Sequence, residues 1–185
     1  MGASIDARWA TVNSFPGITG SHRLSEGVPV GADFPPSVEL SLAPNWGSLT
    51  TGFLNNTRRL MIAEERAKQF LERQGLDEPS VEYLPFILRN KKGRVVDKQY
   101  YVVNPLRKFD CLDRGRSDFR TRADGVTVVV VASMRVHAER IPEDAKLFRL
   151  GEKPRIILLR SDLLEGIRAE GFSGVAITAM GEEFL

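Results

Sequence analysis

The sequence predicts an α+β fold: a mixed, mainly antiparallel sheet packed by two short helices, with a loop-rich N-terminal extension. Three observations carry this. Val81 to Leu88 and Val95 to Val103 are rich in β-branched and aromatic residues, and Asn90-Lys91-Lys92-Gly93 joins them. Gly93 supplies the positive φ that a short hairpin loop needs. Two stretches carry apolar residues at helical spacing and end on a glycine, Gly75 or Gly171. Half of the ten prolines fall in the first fifty residues, which excludes long helices there because proline removes a donor and fixes φ.

In chain order, residues 1–57 read as a Pro/Gly-rich segment packed on the core, and residues 58–185 as the α+β domain. Pro16, Pro29, Pro35, Pro36 and Pro44 alternate with residues that want burial, such as Trp9, Phe15, Phe34 and Trp46, so short strands and ordered loops are expected. Ala63, Ala67, Phe70 and Leu71 form the stripe of a first helix, with Glu64–Lys68 and Lys68–Glu72 pairs on its wet side. Pro85 within the first β run predicts an edge strand or a bulge. Asn104-Pro105 ends or bends the second run, and Leu106 to Leu112 reads as an irregular strand. Val126 to Val131 lacks alternation, the pattern of a strand covered on both faces. Ile156 to Leu159 predicts a strand, and Asp162 with Glu165 a capping box. A helix then follows to Gly171, and a last strand spans Val175 to Thr178. Residues 60–83 and 156–177 share this apolar run–helix–Gly–strand order, and duplication and coincidence explain it equally well.

Composition bounds the function. With 42% hydrophobic and 27% charged residues the chain is an ordinary globular one. At this length folding buries roughly 70% of the unfolded surface, enough to dispense with staples. Cys111 stands alone, which points to a reducing compartment. The N-terminal Met-Gly-Ala-Ser-Ile-Asp-Ala-Arg lacks the apolar stretch of a signal peptide. The apolar run from Val126 to Ala132 is too short to span a bilayer of roughly 30 Å. A cytoplasmic protein without membrane contact is the expectation. The net charge of +2, from 26 basic and 24 acidic residues, is too balanced for a nucleic-acid footprint.

Chemistry-bearing motifs are few. No phosphate-binding or dinucleotide glycine loop occurs. Gly171-Phe172-Ser173-Gly174 is one residue short of a nucleophile elbow and follows a helix rather than a strand. His22 and His137 stand apart from any metal-ligand spacing. Cys111 has basic neighbours suited to a thiolate, and also the surroundings of a buried free cysteine. No catalytic residue, metal or cofactor is assigned. The segment from Asn104 to Asp118 is distinctive for its dense mixed charge. Its Asp110 and Asp113 are readable as acceptors of local hydrogen bonds, or as part of a polar rim that steers a charged partner. Trp46 and the stretch Arg114 to Arg122 are the candidate anchors, although plain core packing is the commoner role for a residue such as Trp46. The candidate partner-binding set is therefore Trp46, Asp110, Asp113, Arg114, Arg116, Asp118, Arg120 and Arg122.

Tyr100-Tyr101-Val102-Val103-Asn104, the Asp110 and Asp113 pair and then Ser117 resemble the central motif of an immunity-protein family of bacterial polymorphic toxin systems. That family was first catalogued as a domain of unknown function, and its reference member is myxobacterial. Val81-Glu82-Tyr83-Leu84-Pro85, Lys146-Leu147-Phe148-Arg149-Leu150 and Leu159-Arg160-Ser161-Asp162 running into Gly171-Phe172-Ser173-Gly174-Val175 agree in order. The resemblance covers residues from about 58 to 180, with Val175-Ala176-Ile177 standing where an aromatic-ending strand belongs. It implies a small protein made beside a toxin, in some cases a nuclease, which binds the toxin domain and blocks it. Two other classes stay open: a small enzyme that reverses the toxin's modification, and a nucleic-acid-binding regulator.

Overall fold

The structure, a computed structural model, describes residues 6–15 and 21–183. Pro16 and the first five residues of the N-terminal stretch read above lie outside the described residues. A ring of short strands forms the first half. β1 (Thr11–Val12), β2 (Glu39–Ser41), β3 (Asn55–Asn56) and β4 (Met61–Glu64) come from the proline-rich segment and the residues just after it; β5 (Val81–Arg89) and β6 (Tyr100–Pro105) complete the ring. β5 and β6 pair antiparallel, β4 joins the far side of β6, and β2 runs parallel to the other side of β5. Phe53 bridges Ala63 of β4, the same segment continues into β3, and β3 runs parallel to β1. Val12 then bridges Leu42, just beyond β2, and closes the circuit. Closure leaves few unpaired edges in strands too short to pair stably on their own.

Alternation fills the ring. Leu40, Ile62, Leu84, Phe86, Leu88, Tyr100 and Val102 point inward and pack with Val12, Leu42 and Leu54. Pro85 sits in a strand with neighbours on both sides. Ile87 N donates to Val38 O on the β2 side, and Pro85 faces the same way two residues earlier, where β2 does not reach. Its missing N–H therefore breaks no ladder. The second run begins its ladder only at Tyr100 and continues through Asn104-Pro105, and Val95 makes a single bridge to Arg89.

Two helices pack outside the ring. α1 (Ser21–Ser25) is a single turn in the N-terminal segment; α2 (Glu65–Arg73) leaves β4 directly and buries Ala67, Phe70 and Leu71. Ala63 is thus a strand residue, because the apolar face it shares with α2 already belongs to β4. Glu64 pairs with Lys98 at 2.8 Å instead of with Lys68, whereas Lys68–Glu72 forms at 2.7 Å. Burying a side chain such as Leu71 contributes roughly 2 kcal/mol. Gly75, at φ +77°, ends the helix: Gly75 N donates to Glu72 O and Leu76 N to Leu71 O, the paired bonds of a Schellman stop.

The remaining residues add a second layer: β7 (Lys108–Phe109), β8 (Asp118–Thr121), β9 (Val128–Ser133), β10 (Leu147–Leu150), β11 (Ile157–Leu159) and α3 (Ser161–Ala169). β10 lies between β11, antiparallel, and β7, parallel. All four of its residues are buried: Leu147 packs with the helices, while Phe148 and Leu150 join Cys111, Leu112 and Met134 in a separate cluster. Of Leu106 to Leu112 only Lys108 and Phe109 form a ladder, and Leu112 adds one bridge to Val136. β9 has β8 as its partner in a two-stranded ribbon with two register shifts; Val128 and Val131 are buried and the strand's other residues half-buried, whereas Val126, in the turn before it, is 68% exposed.

α3 repeats the geometry of α2. Gly171 N donates to Arg168 O and Phe172 N to Ile167 O, and a Cβ on Gly166 would fall 2.8 Å from Phe70 Cζ, so the glycine lets the helix approach that ring. Asp162 does not cap: Arg160 holds it with two hydrogen bonds of 2.7 and 2.6 Å. Val175 to Thr178 forms no strand. β4 already has Phe53 and β6 on its two sides, so the returning chain finds no place beside it: Phe53 N donates to Ser173 O, and the chain next meets an edge at the end of β9, where Gly181 N donates to Met134 O and Glu183 bridges Ser133.

Candidate functional site

The mixed-charge segment folds around Asp113. Its Oδ1 accepts the backbone N–H of Gly115 at 3.0 Å and of Arg116 at 3.2 Å, closing the turn that leads into β8. His137 Nε2 stands 3.9 Å from the same oxygen, and its Nδ1 meets Glu139 at 3.1 Å. Ser117 Oγ accepts from Arg135 N and donates to Arg135 O, tying the ribbon to the chain beyond β9. Arg114 donates to Val126 O at 3.0 Å, and its guanidinium lies 5.4 Å from the Phe119 ring centre. Asp118 and Arg120 alternate outward along β8, and Arg116 and Arg122 are exposed at its two ends. Asp110 is exposed beside Gly151, where no Cβ would fit against its carboxylate.

The structure thus brings Asp113, Arg114, Arg116, Asp118, Arg120 and Arg122 onto one ribbon with Asp110 in the strand segment before it. Trp46 belongs to another surface. It is 47% exposed on a loop beside the ring, where its carbonyl accepts a bond from Lys91 Nζ in the β5–β6 loop.

A buried polar knot is more tightly built than either. Arg149 in β10 is 1% exposed, and all five of its N–H groups are used. Nε donates to Pro105 O (2.7 Å), Nη1 to Pro154 O (2.8 Å) and Ser25 O (3.3 Å), and Nη2 to Leu24 O (2.8 Å) and Asn104 Oδ1 (3.1 Å). Asn104 Nδ2 donates to Val28 O and, at 2.9 Å, to Glu82 Oε2. Glu82 also accepts the N–H groups of Val30 and Gly31. Burial lowers the Arg149 pKa to about 10, so the guanidinium stays charged at neutral pH. The knot fastens the loop around residues 24–31 to β5, β6 and β10. Gly27, at φ +61°, passes so close that a Cβ would fall 2.5 Å from Arg149 Cδ. Sequence reasoning assigned these residues no role. The available signal was a polar residue at an inward position of an apolar strand, Glu82 opposite Asn104 and Arg149 between Phe148 and Leu150.

The chemistry-bearing side chains are similarly committed. Cys111 is fully buried, and burial, followed by the charges of Glu152 and Asp110, pushes its thiol up to about 11. A thiolate nucleophile at neutral pH is excluded by that environment. Among the described residues no cluster of three His, Cys, Asp or Glu is placed to hold a metal ion, and no helix is long and apolar enough to cross a membrane. One cleft of about 240 Å³ lies between Trp9, α3 and the Phe172–Val175 segment; another of about 280 Å³ lies between Phe34-Pro35-Pro36 and the start of β5. Arg168 and Ser173 join apolar residues in the first lining, and Glu78 and Glu82 in the second.

No curated protein sequence matches the chain. A family model does: that of the immunity protein family Imm11 matches residues 6–182. The match takes in the ring strands of the proline-rich segment as well as the stretch from 58 onward that carries the motif resemblance. On a match of nearly its whole length, the chain belongs to the Imm11 immunity protein family.

Proposed function

We propose that the chain neutralises one cognate toxin domain by stoichiometric binding, without turnover and without a cofactor. Family membership supports a toxin-neutralising role. One observation favours binding over chemistry: the fold itself engages Cys111, Asp113, Glu82 and Arg149. Cys111 is a protonated thiol, Asp113 closes a turn, Glu82 anchors a loop, and Arg149 gives away every donor. What remains for function is the exterior, where the β8–β9 ribbon and the ring wall near Trp46 present unspent side chains. An inhibitor of this kind buries about 800 Å² per partner around a few aromatic or arginine anchors. Asp118, Arg120, Arg122 and Trp46 have the exposure this requires.

Co-expression with the toxin domain encoded beside this chain tests the proposal. Cells survive the toxin only when the chain is present, and the two proteins co-purify at a one-to-one ratio. Unprotected cells, or protection without a complex, would refute stoichiometric binding; the second result would favour an enzyme that undoes the toxin's modification.

A further inference from the structure

We infer that the outer wall of the strand ring, from Ile87 to the β5–β6 loop, is the surface that docks the toxin, and that it fits an acidic patch with an apolar centre. This inference rests on the inhibitory reading above and adds the face and the chemistry of the partner.

The ring wall has two halves. At one end α2 covers it: Tyr83 donates to Leu76 O, Tyr101 to Glu65, and Lys68 Nζ lies 5.3 Å from both ring centres. At the other end no element among the described residues packs on it. Ile87 and Arg89 point outward, two residues apart in β5, and Val95 bridges directly opposite Arg89, so all three share the open face. Solvated strand faces are polar, yet Ile87 is 37% and Val95 57% exposed. Lys91 joins this wall to the loop of Trp46. Of the six large apolar side chains exposed among the described residues, Ile87 and Val95 thus lie on this wall and Trp46 on the loop that Lys91 ties to it, the makings of an interface centre.

Charge selects the partner. Arg89 is neutralised by Glu39 through bonds of 2.6 and 2.7 Å. Lys91, Lys92 and Arg94 at the loop tip have no carboxylate partner among the described residues. A cationic rim beside an aliphatic centre complements an acidic protein surface and would speed its encounter. Ile87 and Val95 offer nothing for bases to stack on, which favours a protein over a nucleic acid.

The test uses the full chain and the toxin domain encoded beside it, with binding measured by calorimetry. Ile87→Glu with Val95→Glu lowers affinity at least a hundredfold, and Lys91→Glu with Lys92→Glu and Arg94→Glu at least tenfold. Raising salt weakens the wild type but not the triple variant. Arg155→Glu, exposed in the β10–β11 loop away from this wall, stays within threefold. Circular dichroism checks folding, and Ile87→Ser with Val95→Thr replaces the glutamate pair should that pair unfold. If the wild type binds and these variants bind within threefold of it, the face is wrong while the inhibitory function stands. If the wild type does not bind, the function itself fails. Two further results would overturn the face as a toxin site: a wild-type dimer that the glutamate pair dissociates, or oligonucleotide binding that the triple variant loses.

Discussion

Arginine meets opposite fates in two regions of this molecule. Arg149 is alone among apolar neighbours, fully buried, and spends five donors on five oxygens from three chain segments. The ribbon arginines Arg116, Arg120 and Arg122 crowd a short stretch, stand in solvent, and make no guanidinium hydrogen bond among the described residues. The dense run is conspicuous in a sequence, the single residue is not, and structural weight runs the other way. A buried guanidinium that holds a loop in place leaves several unsatisfied carbonyls when removed, whereas an exposed one leaves only solvent.

The largest expected effect breaks the comparison on its buried side. Arg149→Met keeps much of the volume and removes all five bonds, and unfolding in urea should show a loss of roughly 3–5 kcal/mol. A loss below about 1 kcal/mol would place Arg149 with the ribbon arginines and dissolve the contrast. The next effect concerns Cys111, the other committed interior group. Its thiol ionises near 9 in the unfolded chain and near 11 in the fold. The unfolded state therefore gains first as pH rises: stability is intact below pH 9 and falls between 9 and 11, by roughly 1–3 kcal/mol. Cys111→Ala should flatten that alkaline fall, measured by the same unfolding at each pH. The smallest effect is on the exposed side, where Arg120→Ala and Arg122→Ala should each shift stability by no more than about 0.5 kcal/mol.

Local features were legible in the sequence. The hairpin of Val81–Leu88 and the second β run, both glycine helix stops and the Lys68–Glu72 pair follow from residue type and spacing, because each is decided within a few residues. Ring closure was not legible. β1 and β3 are two residues long and β2 three, too short for period-two alternation to show, and they exist because residues far along the chain pair with them. The missing strand at Val175 to Thr178 has the same origin, since strand propensity needs a free edge to act on. Asp162 reads as a cap until Arg160, two residues away, takes its carboxylate. Asp113 and Arg114 could be singled out for their charge, but their turn and ring contacts depend on Gly115, Phe119 and Val126 being folded around them. The open wall at Ile87 and Val95 escaped notice because exposed and buried aliphatics look alike in a strand.

A titration tests the central claim most directly. A fixed amount of the active toxin domain is mixed with increasing amounts of this chain, and residual toxin activity and toxin mass are followed. Stoichiometric inhibition predicts a linear fall that ends at one chain per toxin, with the toxin's mass unchanged and its activity recovered on separation. Full protection at a small fraction of an equivalent, or a covalent change in the toxin, would contradict it.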